Sequence, residues 1–357
     1  MSEVNYRNEV KYKKRIGALA LVLVAMLLAS VFLGQFAITP RELLGIVGSR
    51  FMDIVGSRFM NIAGSEFINT EPFWSEQSAH VFWSIRLPRI MLACVVGVAL
   101  STAGLVYQNV FENPMASPDF LGASSGAAFG AALAIILGFG GMALTASAFA
   151  FSLLTILLVY IIGSKAKGYR TIGLVLAGLM VSSIAQAGTC FIKLVADQTN
   201  QLPAITYWMM GSLASAKSQD LIFAAAVITA GLVPIWLLRW KLSVLTVGED
   251  EAASMGVNVT RVRFISLVAA TLVTAAAVSV SGVIGWVGLV VPHFCRKIVG
   301  NNLKYLMPAV MISGAAFMLA VDDVSRCLLA IEIPIGILTA LIGAPFFLYL
   351  IAGGGDE

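Results

Sequence analysis

The chain is poor in charge. Asp, Glu, Lys and Arg make up 12% of its 357 residues, while 59% are hydrophobic. Soluble domains carry about 25% charged residues, so an ordinary water-soluble globule is excluded. Histidine is scarce: His80 and His293 are the only two, which argues against a metal or haem site built from histidines of one subunit. The four cysteines, Cys94, Cys190, Cys295 and Cys327, stand singly with no C-x-x-C pair. They read as small buried hydrophobes rather than as metal ligands or disulfides. No G-x-x-x-x-G-K-[ST] loop is present, so the chain does not bind ATP in the P-loop manner. There is no H-E-x-x-H and no nucleophile elbow, hence no enzyme signature, and nothing calls for a resident cofactor or metal. The formal charge of +4 does not indicate nucleic acid; it reflects basic loops at a membrane.

What is present is a recurrence of apolar runs. About ten have spanning length, near 17–37, 88–108, 121–138, 141–163, 172–194, 220–239, 263–281, 283–299, 305–322 and 334–352. A helix needs about 20 apolar residues to cross the hydrocarbon. Only helices and closed barrels satisfy their own backbone polar groups there, and the alternation of a barrel strand is absent. The sequence therefore predicts an all-α polytopic membrane protein. Residues 1–16 read as a polar, basic tail and 17–352 as one transmembrane domain. The first apolar run exceeds the ~7–15 residues of a signal-peptide core, so it reads as a span. A short helix near 203–213 is too brief to cross, and Pro88 suits the first position of the second span.

Lys and Arg set the orientation. With the N-terminus inside, fifteen of the 23 fall in inner segments, among them Lys11, Lys13, Lys14 and Arg15. Both termini are then cytoplasmic, and the sequon Asn258-Val259-Thr260 is a chance match on the inner side. The outer segment 38–85 holds a repeat, IVGSRFMD (46–53), IVGSRFMN (54–61) and IAGSEFIN (62–69), read as a duplication that lengthened a surface helix. Gly122, Gly126 and Gly130 share one helix face and fit close helix packing. Gly282, Gly285 and Gly288 fit either packing or a pore-facing segment.

Ionisable groups inside the runs are few; Asp322, Asp323 and Lys193 sit at outer ends. Ion-coupled carriers use intramembrane carboxylates or histidines. Their scarcity disfavours a secondary transporter, and a membrane-embedded enzyme likewise, and favours a pore powered by another subunit.

Several segments carry a family resemblance in a fixed order: RLPR (86–89), QNVFENPMASPDFLGASSGAAFG (108–130), YWMMGSL (207–213), GEDEAASMGV (248–257), GVIGWVGLVVPHFCR (282–296) and IPIGILTALIGAPFF (333–347). Together they resemble the FecCD-type permeases, membrane subunits of ABC importers for iron chelates and cobalamin. The resemblance implies a cobalamin-importer-permease-like fold of ten transmembrane helices in a prokaryotic cytoplasmic membrane. It implies a second permease subunit (a homo- or heterodimer), two cytoplasmic ATPases, an extracytoplasmic binding protein and surrounding lipid. An iron–siderophore complex is the first substrate candidate, with cobalamin, haem and molybdate open. By the same resemblance Arg86, Arg89 and Arg326 meet acidic residues of the binding protein. The inner loop 241–262 engages the ATPase through Gly248, Glu249, Glu251, Ala252, Met255 and Gly256. Its acidic residues suit a helix start, Gly256 a left-handed helix end, and Ala252, Ala253 and Met255 an apolar knob. Met255 stands where leucine is common. Tyr207, Met209 and Met210 are candidate pore-lining residues.

Overall fold

The computed structural model describes residues 3–59, 74–163, 165 and 170–353, and its regular structure there is helical. The helices are α1 (Glu3–Phe32), α2 (Pro40–Phe59), α3 (Glu76–His80), α4 (Leu87–Val110), α5 (Ala123–Ile136), α6 (Met142–Gly163), α7 (Arg170–Val195), α8 (Gln201–Met209), α9 (Ser218–Leu245), α10 (Glu249–Ser254), α11 (Val259–Ser281), α12 (Val287–Val299), α13 (Leu303–Cys327) and α14 (Ile335–Gly353).

A helix lies at each of the ten apolar runs, and among the described residues seven are long and apolar enough to cross a membrane by length and composition. Helices α5 and α12 have 14 and 13 residues, about 20 Å at ~1.5 Å per residue. The hydrocarbon core is ~30 Å thick. Each short helix follows irregular backbone: a 3-10 turn, Pro118–Leu121, before α5, and residues 282–286 before α12. Non-helical backbone at membrane depth is tolerated where protein covers it. Here Ser212 N donates to Ser281 O at 2.8 Å, just before the second of these segments.

Helix α4 is the central post, buried over nearly its whole length and packed against α13, α11, α9 and α12. Small residues permit these approaches. A Cβ on Gly97 would fall 2.2 Å from Gly314 O. On α5 a Cβ on Gly126 would fall 2.2 Å from Thr155 Oγ1 of α6, the close packing the glycine spacing implies. Of the second glycine set only Gly288 is helical, while Gly282 turns the chain at φ +69.

Helix α1 runs unbroken from Glu3 to Phe32, through the basic tail and into the first apolar run, because Lys and Arg are good helix formers. Pro88 lies in the first turn of α4, as expected, but that turn does not begin the helical run. Helix α3 continues through a π-turn, Val81–Arg86, directly into α4. A proline ring collides with the carbonyl four residues back. The wider turn, with Leu87 N donating to Phe82 O, relieves that conflict.

Segment 38–85 is partly helical among its described residues. Helix α2 starts on a capping box in which the Thr39 amide and hydroxyl each donate to Glu42 Oε2 at 2.9 Å. The backbone bond first, then the hydroxyl, holds the Glu42 carboxyl below its ordinary range. The first octad repeat lies on this helix, its Ile46 buried with Ile38 and Phe82. The second runs past its end, and the rest of the repeat lies outside the described residues.

Candidate functional site

The three arginines singled out from the sequence gather at one end of the bundle, the end that the charge bias assigns to the exterior. None is free. Each is buried, at 4%, 6% and 6% exposure for Arg86, Arg89 and Arg326. Arg86, at the end of the π-turn, donates to Val31 O at 2.6 Å and to Phe36 O, fastening the segment after α1. Arg326 on α13 donates to Ser30 O at 2.9 Å, to Ser30 Oγ at 2.5 Å and to Asp323, with Asp322 one turn away at 3.7 Å. Ser30 Oγ donates to Asp323 Oδ1 at 2.7 Å.

Arg89 is the centre of the cluster. Its Nε donates to both Asp322 oxygens at 3.0 and 3.1 Å, and Nη2 lies 2.9 Å from Asp322 Oδ1. The two terminal nitrogens also grip Glu332, Nη1 to Oε1 at 2.8 Å and Nη2 to Oε2 at 2.9 Å. This is a fork-on-fork carboxylate pair. Three guanidiniums and three carboxylates (Asp322, Asp323, Glu332) thus balance in charge. Burial without that balance would be prohibitive. The sequence reading missed Glu332, which is 243 positions from Arg89; only the topology of α4 and α13 brings them together.

The opposite end carries the short helix α10, between the long helices α9 and α11. Gly248 precedes it at φ +137, where a Cβ would meet Glu251 Oε2 at 2.2 Å. The helix ends in a Schellman motif: Val257 N donates to Ala252 O and Gly256 N to Ala253 O, both at 3.0 Å, with Gly256 at φ +79. Asn258 then caps α11 by accepting from Arg261 N at 2.9 Å. Met255 is 55% exposed, whereas Ala252 is fully buried. The expected apolar knob is therefore corrected: Met255 and Ala253 face outward, and Ala252 seats the turn on its own bundle. Glu249 opens the helix.

The pore candidates separate. Tyr207 on α8 lines a cavity of about 390 Å³ together with Trp208, Ser212, Ser281 and Gly282. Met209 packs into a small core with Ile192 and Ile205, which is a packing role. Met210 is 39% exposed and its carbonyl accepts from Gly336 N at 3.1 Å. Trp286, not singled out from the sequence, holds φ +71 and lies against Gly343, where a Cβ would come within 2.5 Å of its own Cβ.

The helical bundle, with seven apolar helices of spanning length among the described residues, an exposed turn at one end and a charge-balanced cluster at the other, is that of a multi-pass membrane protein. The FecCD transport family matches residues 21–353, and the chain belongs to that family, whose members are permease components of ABC importers. The chain is 38% identical over 278 residues to the molybdate import system permease protein MolB of Haemophilus influenzae, covering 77% of this chain and 82% of the relative. It is 41% identical over 277 residues to the cobalamin import system permease protein BtuC of Halobacterium salinarum, covering 77% and 74%. A solved chain described as a metal-chelate type ABC transporter in an inward-facing conformation superposes with TM-score 0.80 at 33% identity, covering 96% of this chain and 99% of that one.

Proposed function

We propose that this chain is the transmembrane half of a binding-protein-dependent importer for a metal chelate, an iron–siderophore complex first, with ten helices crossing the cytoplasmic membrane and both termini inside. Two copies, or this chain and a second permease, enclose the pore, and two separate ATPases supply the energy. The observation that carries the reading is the Gly248–Gly256 turn. Its Schellman end is rigid, it joins two long helices, and it presents Met255 to a partner. A rigid lever between helices transmits ATPase closure as a switch between two states of the bundle. The Glu249–Glu251 charges favour the start of that short helix.

Substrate class is supported by the metal-chelate character of the structural neighbour; the relatives' names span molybdate and cobalamin. The cavity beside Tyr207 and Trp208 offers aromatic and hydroxyl groups to a bulky ligand. The end that holds Arg86, Arg89 and Arg326 is the docking face for acidic lobes of the binding protein; because the guanidiniums are buried and already paired, an incoming carboxylate forms a bidentate pair only by replacing a resident one.

The test is reconstitution of the chain with its ATPases and binding protein in proteoliposomes. ATP-dependent uptake of a ferric siderophore, in preference to cobalamin, haem and molybdate, is expected. Preference for another ligand overturns the substrate. Uptake driven by an ion gradient without the ATPases overturns the class.

A further inference from the structure

The geometry of Arg89 points to a carboxylate exchange: we propose that Glu332 holds, in the unengaged permease, the place that a carboxylate of the binding protein takes on docking. The inference rests on the docking role proposed above for the arginine cluster.

The nitrogens of Arg89 are already committed. Nε and one face of Nη2 serve Asp322, and the two terminal nitrogens serve Glu332. An incoming carboxylate therefore gains a bidentate pair with Arg89 only when one resident acid leaves. Asp322 cannot leave: its side chain is fully buried on α13, and stripping it of Arg89 would strand a charge in the protein interior. Glu332 can. Its side chain is 32% exposed and stands between α13 and α14, outside any helix. On release it reaches water, where a carboxylate is stable.

The exchange conserves charge. One acid departs, one arrives, and Arg89 is never buried without a counter-ion. Docking strength is then a difference between two similar pairs, which keeps it weak enough to reverse in each transport cycle. Glu332 acts as an internal competitor. The segment it occupies leads into α14, whose first amides, Ile335 N and Gly336 N, donate to Gly211 O and Met210 O at 2.9 and 3.1 Å. Exchange at Arg89 therefore acts one short segment away from α8 and the cavity beside it.

The test measures affinity of the ligand-free binding protein for the complete importer in lipid nanodiscs. Glu332→Gln removes the competing charge yet keeps an acceptor oxygen for Arg89. It is expected to tighten docking about tenfold, within the usual range of coupling between sites. Glu332→Asp, whose shorter arm weakens the fork, is expected to tighten it less, and it carries the test if the glutamine variant fails to assemble. Unchanged or weaker docking by these variants overturns the exchange. A binding protein whose lobe-tip acids are converted to amides tests the underlying reading separately. If it docks as well as wild type, the docking role itself falls. If it docks poorly while Glu332→Gln still shows no gain, the docking role stands and the exchange alone is refuted.

Discussion

Gly104 on α4 meets Gly288 on α12 with no room between the backbones: a Cβ on Gly104 would fall 1.9 Å from Gly288 O. Without a hydrophobic force between helices in lipid, such contacts are what hold a bundle together. Gln108, one turn on, donates to the same Gly288 carbonyl at 3.2 Å and accepts from Arg296 Nη1 at 2.5 Å. Gly104→Val is therefore expected to push α12 off α4. Overpacking typically costs about 1–3 kcal/mol, and a backbone obstacle puts this site at the upper end. Thermal unfolding in detergent checks it; a melting temperature equal to wild type would show that the contact is not tight.

The acidic side of the outer cluster makes a second prediction. Asp322→Ala leaves Arg89 buried with one counter-ion instead of two. Breaking a buried pair from one side costs about 3–5 kcal/mol, so membrane abundance is expected to fall sharply. Arg89→Met combined with Asp322→Leu removes both charges and is expected to restore abundance while abolishing docking. Quantitative blotting and a binding-protein pull-down read the two effects apart. Recovery of neither would mean that the pair serves more than charge balance. The same burial bears on Arg89→Glu. Reversal would crowd a third acid against Asp322 and Glu332, so lower abundance is expected. This differs from the loss of docking alone that an exposed arginine at a span end would give.

The long bundle helices were legible because each carries an apolar run, and Gly256 was legible because a left-handed helix end leaves a local signature. Glu332, Ser30 and the carbonyls of Val31 and Phe36 were not. They meet the arginines across 50 to 296 positions, and no spacing rule reaches that far. The inward turn of Ala252 was hidden for a different reason. Ala252 and Ala253 in the six-residue helix and Met255 just past its end are spread around most of the circumference, so composition cannot say which faces the bundle. The short helices α5 and α12 read as full spans because non-α-helical residues beside them, Leu121 and Leu137 around α5 and Val283 to Trp286 before α12, extend the hydrophobic run without extending the helix.

Orientation gives the third prediction. The basic bias puts both ends of the chain on the cytoplasmic side. A reporter that is active only in the cytoplasm, fused after Glu357, is expected to be active, while an exported-only reporter at the same place is expected to be silent. The opposite pattern would reverse the assignment of the arginine cluster to the exterior and of α10 to the interior together.

The turn at α10 allows folding and coupling to be separated by neighbouring residues. Met255 is more than half exposed, so Met255→Asp places a charge in water and should leave abundance intact. If Met255 seats in an ATPase groove, the buried aspartate is unpaired there. ATP hydrolysis is then expected to continue while ligand imported per ATP falls by about tenfold, equivalent to ~1.4 kcal/mol of lost coupling. Ala252→Asp differs by three positions and should behave otherwise. It drives a charge into the fully buried seat of the turn on its own bundle, and loss of the folded protein is expected. Gly256→Pro lies between the two. Proline is locked near φ −65° and cannot take the +79° of this position, so the Schellman end is lost. The turn is expected to remain tethered by α9 and α11 but to stop acting as a rigid lever. Import and ATPase rates measured side by side on the three variants decide the matter. Wild-type coupling by Met255→Asp would remove this turn from the power stroke.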